Sequence, residues 1–315
     1  MKIREGFVES EGHQLAFLAV NEHLAKDDEP AIVFIHGVLA SVNFWRDCVP
    51  PEFKDDRAWY ALSLPAHHPS TVPPSFALGD VDDAWFFKIM NGALQTLLGN
   101  KKAIVVGHST GGFCALNLAI HQAPNVMGIV SVAGFHRGNW GGVEGLLLKI
   151  AGLGKWAKDL FVANILISKL SYFARRTFAA QLAHNRKAYR SNPLSLRMLD
   201  NIEPNTLAHD PVALFTFFNG IAGLEIADQL HQINMPCYIF SGSDDPVVPT
   251  EQSRVLANEV PNAKSVEFDH VGHMPFIEEA DAYFSALERA LNDITDTDRI
   301  HANTKKVMAD DVPSI

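Results

Sequence analysis

Short runs of apolar and β-branched residues alternate along the first part of the chain with longer segments whose apolar spacing fits a helix. Two strands are predicted at residues 3–10 and 14–20, and the turn around Gly12 would join them into an edge hairpin. Buried-type strands are predicted at residues 31–35, 57–62, 103–106 and 126–132, and helices at residues 81–98 and 113–121. Ser41 is placed to cap a further helix that Pro50 ends. The alternation predicts an α/β fold, with a mostly parallel, doubly wound sheet and helices on both faces.

The alternation stops at about residue 135 and resumes after residue 226. The segment between them reads as helices rich in Leu, Phe and Ala, and the last strands are predicted after it, at residues 237–240 and 265–268. Further helices are predicted at residues 251–258 and 275–291. We expect a core formed by residues 1–134 and 227–295, with residues 135–226 as a helical cap over the active-site end of the sheet. A second independent domain is the alternative. Residues 296–315 are polar without periodicity and predict a frayed tail.

Net charge, cysteine content and the lack of a long uninterrupted apolar stretch limit which partners and which location we expect for this protein. The formal net charge of -10 argues against nucleic acid, which calls for a basic face. Three scattered cysteines without a C-x-x-C pattern indicate reduced thiols and a cytoplasmic protein. The most apolar stretch, residues 146–170, is interrupted by four lysines and an aspartate, so we expect no stable membrane insertion. The sequence carries no signal for an oligomeric state.

A glycine-rich turn joins the strand predicted at residues 103–106 to the helix predicted at residues 113–121. It reads Gly107-His108-Ser109-Thr110-Gly111, a G-x-S-x-G pattern. Between a strand and a helix, this pattern holds the serine in a strained backbone conformation, and the glycines leave room for the turn and for a substrate. A plain glycine-rich connection is the alternative, because the pattern alone is weak evidence. Its setting favours Ser109 as a nucleophile.

A serine nucleophile needs a base within hydrogen-bond reach. Fourteen histidines compete for that role. His273 follows a predicted strand on a glycine-containing loop, and His270 is its main competitor. The adjacent pair His67 and His68 point apart, with no carboxylate or cysteine partner near them in the sequence, so we predict no metal site.

The base in turn needs an acceptor that fixes its tautomer. Asp244 and Asp245 both lie in the turn after the strand at residues 237–240, and either could serve. The other suitable position, after the strand that ends near Val132, offers no carboxylate before Glu144. The later position is therefore favoured.

The carboxyl ends of parallel strands meet at one edge of a sheet, where ligands bind. His36 and Gly37 follow one such strand, and Ser109 follows another. We therefore predict that His36, Gly37 and His108 contact the substrate.

Four motifs, in this order, resemble the α/β-hydrolase fold family over roughly residues 31–291: His36-Gly37, Gly107-His108-Ser109-Thr110-Gly111-Gly112, Gly242-Ser243-Asp244-Asp245-Pro246 and Gly272-His273-Met274-Pro275. Serine, aspartate and histidine also follow one another as in that family. The resemblance implies Ser109 as nucleophile, His273 as base and Asp245 as acid. It further implies an oxyanion hole formed by the backbone N–H groups of Val38 and Thr110, and no cofactor.

The expected activity is that of a serine hydrolase that cleaves an ester, thioester or lactone through an acyl-enzyme. An acyltransferase or lyase with the same triad, and a ligand receptor that retains it, are the alternatives. Apolar side chains between residues 146 and 182, Trp156 and Phe161 among them, predict a pocket for a small apolar acyl group. Docking of the cap on a membrane is the competing use of that surface.

Overall fold

Eight strands form one sheet in the computed structural model, which describes the backbone of residues 1–310 and the side chains of residues 1–297. They are β1 (Ile3–Ser10), β2 (His13–Val20), β3 (Ala31–Ile35), β4 (Trp59–Leu62), β5 (Ala103–His108), β6 (Val126–Val132), β7 (Cys237–Gly242) and β8 (Lys264–Phe268). Their order is β1-β2-β4-β3-β5-β6-β7-β8. The six strands β3 to β8 run parallel to one another, and β2 pairs antiparallel with both β1 and β4. The predicted α/β class, with its mostly parallel sheet, is confirmed.

Helices cover both faces of the sheet, so the central strands are buried on both sides and read as continuous apolar runs. Along β3, Val33 and Ile35 belong to the core on one face, where helices α1 (Asp83–Leu98) and α2 (Thr110–Ile120) pack. Ile32 and Phe34 belong to the core on the other face, together with the early residues of the last helix. The sheet therefore fixes the ends of β3, β5, β6 and β7 relative to one another.

Six helices form the cap between β6 and β7. They are α3 (Gly142–Gly152), α4 (Lys158–Lys169), α5 (Tyr172–Ala179), α6 (Arg186–Ser191), α7 (Pro193–Ala208) and α8 (Pro211–Ile221). Helix α8 is apolar along most of its length and packs against α3 and α4. This confirms the predicted insertion of a helical cap before the last strands.

The segment after Ser41 differs from its prediction. Ser41 has an extended backbone, its hydroxyl caps nothing, and the residues after it form two 3-10 turns, Val42–Arg46 and Pro51–Lys54. The prolines at positions 50 and 51 explain the interruption, because proline lacks the N–H that would continue a helix.

The C-terminal helix also differs from its prediction. Helix α9 (Thr250–Glu259) is present, but the helix expected at residues 275–291 is two helices, α10 (Pro275–Glu278) and α11 (Ala280–Asp310). The backbone of α11 continues through residues 296–310, where a frayed tail was expected. Residues 311–315 of that predicted tail lie outside the described residues.

Candidate active site

The turn between β5 and α2 holds Ser109 in a conformation that non-glycine residues rarely adopt, with φ 54° and ψ -115°. Its backbone N–H donates to the carbonyl of Val132 at the end of β6, 2.8 Å away. Its carbonyl accepts the N–H of Phe113 in the first turn of α2. The turn is therefore anchored at both ends, as such a strained position requires.

Glycines permit this turn because the backbone passes too close for any side chain. A Cβ on Gly107 would lie 1.9 Å from the carbonyl oxygen of Gly111. A Cβ on Gly111 would lie 2.2 Å from the carbonyl oxygen of Ile35 at the end of β3. The G-x-S-x-G pattern is thus a packing requirement that brings the ends of β3 and β5 together.

His273 and Asp245 form a buried pair at the ends of β8 and β7. The Nδ1 atom of His273 lies 2.7 Å from Oδ2 of Asp245, and both side chains are almost fully buried. The other carboxylate oxygen of Asp245 accepts the backbone N–H groups of Val247 and Val248, at 2.8 and 3.0 Å. Asp245 is thus oriented by its own loop, and it holds one nitrogen of the imidazole.

The pKa of His273 reflects two opposing influences. Burial lowers it, but the charge and hydrogen bond of Asp245, with smaller contributions from Glu144 and Glu278, more than offset burial and raise the pKa above its usual value. This environment stabilises an imidazolium, which is what a general base becomes when it accepts a proton.

The competing residues lie outside this pair. The Asp244 carboxylate is 42% exposed, and the side chain of His270 is 78% exposed beside it, with Nδ1 3.5 Å from Oδ2 of Asp244. His184 of the cap approaches the same oxygen at 3.6 Å. These three exposed side chains could hold a divalent cation, since their ligand atoms lie within 4.8 Å of one another. Asp244 thus faces two surface histidines, and Asp245 faces His273.

His108, the residue before Ser109, contacts both the backbone and the ring of His273. Its Nε2 lies 2.9 Å from the carbonyl oxygen of His273 and donates to it. Its ring stacks on Phe44, with centroids 5.6 Å apart, and lies against the ring of His273. Burial keeps the pKa of His108 well below its usual value, so the ring is neutral. The neighbour of the serine therefore orients the loop of His273 while also lining the cavity described below.

A second group of buried histidines holds the loop after β3. His36 donates from Nδ1 to the carbonyl of Gly37 and accepts the hydroxyl of Ser63 at Nε2. His67 accepts the N–H of Leu39, and His209 of the cap donates to the carbonyl of Ala40 at 3.0 Å. Burial lowers the pKa of His36 to about 3 and that of His67 to about 4, so both are neutral.

The positions of these histidines differ from the sequence-based predictions. His36 was expected to contact the substrate, but it is fully buried behind the loop and does not line the cavity. His67 was considered only as a metal ligand, whereas it orients the backbone beside Val38. No pattern along the chain could have joined His36, His67 and His209, because they come together only across the cap boundary.

Core and cap enclose a cavity of about 340 Å³ with Ser109 and His273 in its wall. Gly37, Val38 and His108 line it from the core. Thr110 lies directly behind as the first residue of α2, so its N–H has no carbonyl partner within the helix. The wall is mostly apolar, with cap residues that include Leu147, Phe178, Leu182, Met198 and Leu214.

Glu144 is a buried acidic residue in this wall for which the sequence predicts no role in the site. It lies in the first turn of α3, and burial raises the pKa of its carboxyl to about 7. The start of α3 is tied to the loop of Asp245, since Gly141 N–H donates to the carbonyl of Val247 at 2.7 Å. A second ionisable carboxyl therefore stands near the His273–Asp245 pair.

The two cap residues predicted to contact substrate lie elsewhere. Trp156 is 88% exposed and stands on the outer surface of the cap. Phe161 is fully buried, but it packs between Phe215 and Phe218 of α8 and does not line the cavity. The periodicity of a helix identifies its apolar face but not which neighbour covers that face, and here α8 covers it.

Comparison with known proteins agrees with this architecture. Residues 30–280 match the family described as alpha/beta hydrolase fold. The pimeloyl-[acyl-carrier protein] methyl ester esterase of Vibrio atlanticus (strain LGP32) is 24% identical over 267 residues, 82% of this chain and 93% of that protein. The protein of the same name from Vibrio cholerae is 27% identical over 192 residues, 59% of this chain and 69% of that protein. The enol-lactonase structure from Burkholderia xenovorans LB400 is 18% identical with a TM-score of 0.67, over 91% of this chain and 100% of that chain.

Because the family match spans most of its length, this chain belongs to the alpha/beta hydrolase fold family. The resemblance drawn from the four sequence motifs is thereby confirmed. The predicted class of enzyme, one that resembles serine carboxylic-ester hydrolases, is confirmed at the level of the family and agrees with the names of these relatives.

Proposed function

We propose that this protein is a serine hydrolase that cleaves a carboxylic ester, thioester or lactone of an apolar small molecule through an acyl-enzyme. One observation carries the proposal. Ser109, on a strained turn, and His273, held at Nδ1 by Asp245 at 2.7 Å, line the same apolar cavity. A nucleophile, a base and a group that orients the base are the minimum set for this chemistry.

The reaction follows from these positions. Ser109 Oγ attacks the carbonyl carbon while Nε2 of His273 takes the hydroxyl proton, and Asp245 stabilises the imidazolium through Nδ1. The backbone N–H groups of Val38 and Thr110 stabilise the oxyanion of the tetrahedral intermediate. His273 then returns its proton to the leaving oxygen or sulfur. Water, activated by the same histidine, hydrolyses the acyl-enzyme and frees Ser109.

The substrate class is supported by the wall of the cavity and by the relatives. Aliphatic and aromatic side chains dominate the wall, and its two arginines are paired with acids. Arg175 Nε lies 2.9 Å from Glu203, and Arg176 lies 2.7 Å from Asp200. Relatives named as a methyl ester esterase and an enol-lactonase support an ester or lactone bond as the target.

We retain three further expectations as part of the proposal. Residues 135–226 form the cap, and residues 1–134 with 227–295 form the core, because α3 to α8 fall between β6 and β7. The protein acts in the cytoplasm, which the three buried free cysteines favour. Its partner is a small molecule, not a nucleic acid, given the net charge of -10.

Replacing the nucleophile tests the reaction directly. Ser109→Ala is expected to lower kcat on a panel of esters, thioesters and lactones by about three orders of magnitude or more. It should also abolish labelling by a fluorophosphonate probe. Ser191→Ala, at the exposed end of α6, is the control and should change neither. Labelling that persists in Ser109→Ala would assign the nucleophile to another residue.

The same panel separates the alternatives. A hydrolase releases free acid at a steady rate, whereas an acyltransferase needs an added alcohol or thiol acceptor. A lyase releases product without forming an acyl-enzyme. Mass spectrometry of the intact protein detects an acyl-enzyme where one forms. A receptor binds its ligand stoichiometrically without turnover. Steady release of acid together with a trapped adduct on Ser109 is the result that the proposal requires.

A further inference from the structure

The outer surface of the cap carries most of the large apolar side chains that are exposed among the described residues. Nine of the fifteen large apolar side chains that are exposed among the described residues lie within residues 146–173. We call these nine the apolar cap surface: Leu146, Leu153, Trp156, Leu160, Leu166, Ile167, Leu170, Tyr172 and Phe173. They lie on the consecutively packed helices α3, α4 and α5 and on the turns between them. Exposed apolar side chains concentrated in this way mark an interaction site.

Charge distinguishes the same region from the rest of the protein. Residues 135–226 contain 11 Lys and Arg against 6 Asp and Glu, whereas the rest of the chain contains 15 against 30. Within residues 146–173 there are four lysines and one aspartate. The ammonium group of Lys155 lies over the ring of Trp156, 5.6 Å from its centroid. Lysines thus alternate in this segment with the exposed apolar side chains, on a protein that is otherwise strongly acidic.

The cavity of the active site opens onto this surface. Ile167 and Tyr172 belong to the apolar cap surface and also line the cavity that contains Ser109. Between them, Lys169 lines the cavity and donates to the carbonyl of His209. One side of the cavity therefore adjoins the apolar cap surface.

We propose that the apolar cap surface docks on an anionic lipid surface and that acyl substrates enter the cavity from the lipid. Lysines beside exposed Trp, Tyr, Phe and Leu side chains are the pattern of segments that lie in the interfacial plane of an anionic membrane. The docking does not cross the bilayer, and no helix in the described part of the chain has both the length and the apolar character to do so. The route to the cavity rests on the proposed function, but the docking itself does not.

A second copy of this chain fits the surface less well. In a symmetric dimer the same patch meets itself, so two net-positive caps would face each other across the contact. An acidic protein partner would match the lysines but would leave leucine and phenylalanine side chains, such as Leu170 at 84% exposed and Phe173 at 80%, without an apolar counterpart. An anionic lipid layer matches both the charge and the apolar area.

Vesicle flotation with the full chain, free of any affinity tag, tests the docking. The protein is expected to bind vesicles of equal parts phosphatidylglycerol and phosphatidylcholine about tenfold or more tightly than vesicles of phosphatidylcholine alone. High salt should weaken this preference. Leu170→Ser with Phe173→Ser, at two positions outside the cavity wall, should reduce binding about tenfold or more, and Lys155→Glu with Lys158→Glu should remove the preference for the anionic lipid.

Matched controls lie outside the cap. Phe7→Ser replaces an exposed phenylalanine on β1, and Lys88→Glu replaces an exposed lysine on α1, and both should bind as the wild type does. The variants of the apolar cap surface and its lysines, and the two controls, should hydrolyse a short soluble ester at the wild-type rate. This rate reports that they fold correctly. Ser109→Ala should lose turnover and bind vesicles unchanged. A Ser109→Ala variant that keeps the wild-type turnover refutes the proposed function and leaves the docking intact.

The docking is overturned if the protein ignores anionic vesicles at low salt, or if Leu170→Ser with Phe173→Ser binds as the wild type does. It is also overturned if the wild type sediments as a dimer that this double variant dissociates while neither binds lipid, because the surface then covers a second copy.

Discussion

At the scale of single residues, the site depends on which acid faces which histidine. Asp244 and Asp245 are adjacent in the chain, yet one is half-exposed beside His184 and His270, and the other is buried against His273. The difference arises in the backbone. The N–H groups of Val247 and Val248 hold Asp245, whereas the Asp244 carboxylate accepts only the hydroxyl of Ser243 among the hydrogen bonds of the described residues.

Substitution of the two acids should therefore have unequal effects. Asp245→Asn is expected to lower kcat by about four orders of magnitude, because an amide in this position can stabilise the wrong tautomer of the imidazole. Asp244→Asn should change kcat little. Steady-state kinetics on one soluble ester compares them, and circular dichroism checks that both fold. A mild Asp245→Asn with a severe Asp244→Asn reverses the two roles.

The pH dependence of kcat/KM should report the environment of His273. The residue must be neutral to accept a proton, and its pKa is raised, so activity should begin to fall with decreasing pH at a higher pH than ordinary histidine gives. Glu144 and Glu278 both contribute to this raised pKa, and Glu144 itself titrates at about 7, so the two ionisations are coupled.

Glu144→Gln isolates this effect. Removal of a carboxylate that stabilises the imidazolium should lower the pKa of His273 and move the acidic limb of the kcat/KM profile to lower pH. Glu251→Gln, on the exposed start of α9, is the control and should leave the profile unchanged. A profile that stays flat down to about pH 4.5 contradicts a histidine base altogether.

At the scale of the elements, helix α4 and the turn before it divide their apolar residues between two uses. Phe161 and Ile165 face inward, and Phe161 contacts the rings of Phe215 and Phe218 on α8. Trp156, Leu160 and Leu166 face outward. The inward residues pack against other helices and stabilise the cap. The outward residues form part of the surface that we propose binds lipid.

This division predicts unequal effects on stability. Phe161→Ala should lower the free energy of unfolding by about 3–5 kcal/mol, because it leaves a cavity between α4 and α8. Trp156→Ala should change it by less than about 0.5 kcal/mol, as at other exposed positions. Urea unfolding followed by circular dichroism measures both. Equal losses for the two variants would mean that Trp156 packs against a neighbour after all.

At the scale of the whole molecule, the cavity that holds Ser109 lies between two parts of the chain. The core supplies Ser109, Asp245 and His273 from the ends of three strands, and the cap supplies most of the apolar wall. His209 joins the two parts by its hydrogen bond to Ala40. The shape of the cavity, and with it the length of acyl chain that fits, therefore depends on how the cap sits on the sheet.

The value of kcat/KM should rise with the length of the acyl chain until the chain fills the cavity. Each buried methylene contributes about 0.8 kcal/mol, or about fourfold in kcat/KM, so p-nitrophenyl esters should improve from acetate toward butyrate or hexanoate. Strongly anionic or sugar-rich esters should be poor. Leu147→Trp, in the cavity wall, should shorten the preferred chain, and its neighbour Leu146→Trp, on the outer surface of α3, should not. The prediction is wrong if acetate is the best substrate.

The sequence by itself determined the α/β class, the place of the cap and the turn that holds Ser109. Each of these depends on contacts that are local or on patterns that repeat along one element, such as the glycines that let β5 turn into α2. The choice of His273 over His270, and of Asp245 over Asp244, came from resemblance and not from the residues themselves.

Only the tertiary structure decided which side chains face the cavity. It placed Phe161 inside the cap, Trp156 on its surface and Glu144 beside the pair of His273 and Asp245. It also joined His36, His67 and His209 into the support of the loop after β3. These positions depend on the packing of elements that are far apart in the chain. The period of a helix or strand reveals which face is apolar but not what covers it.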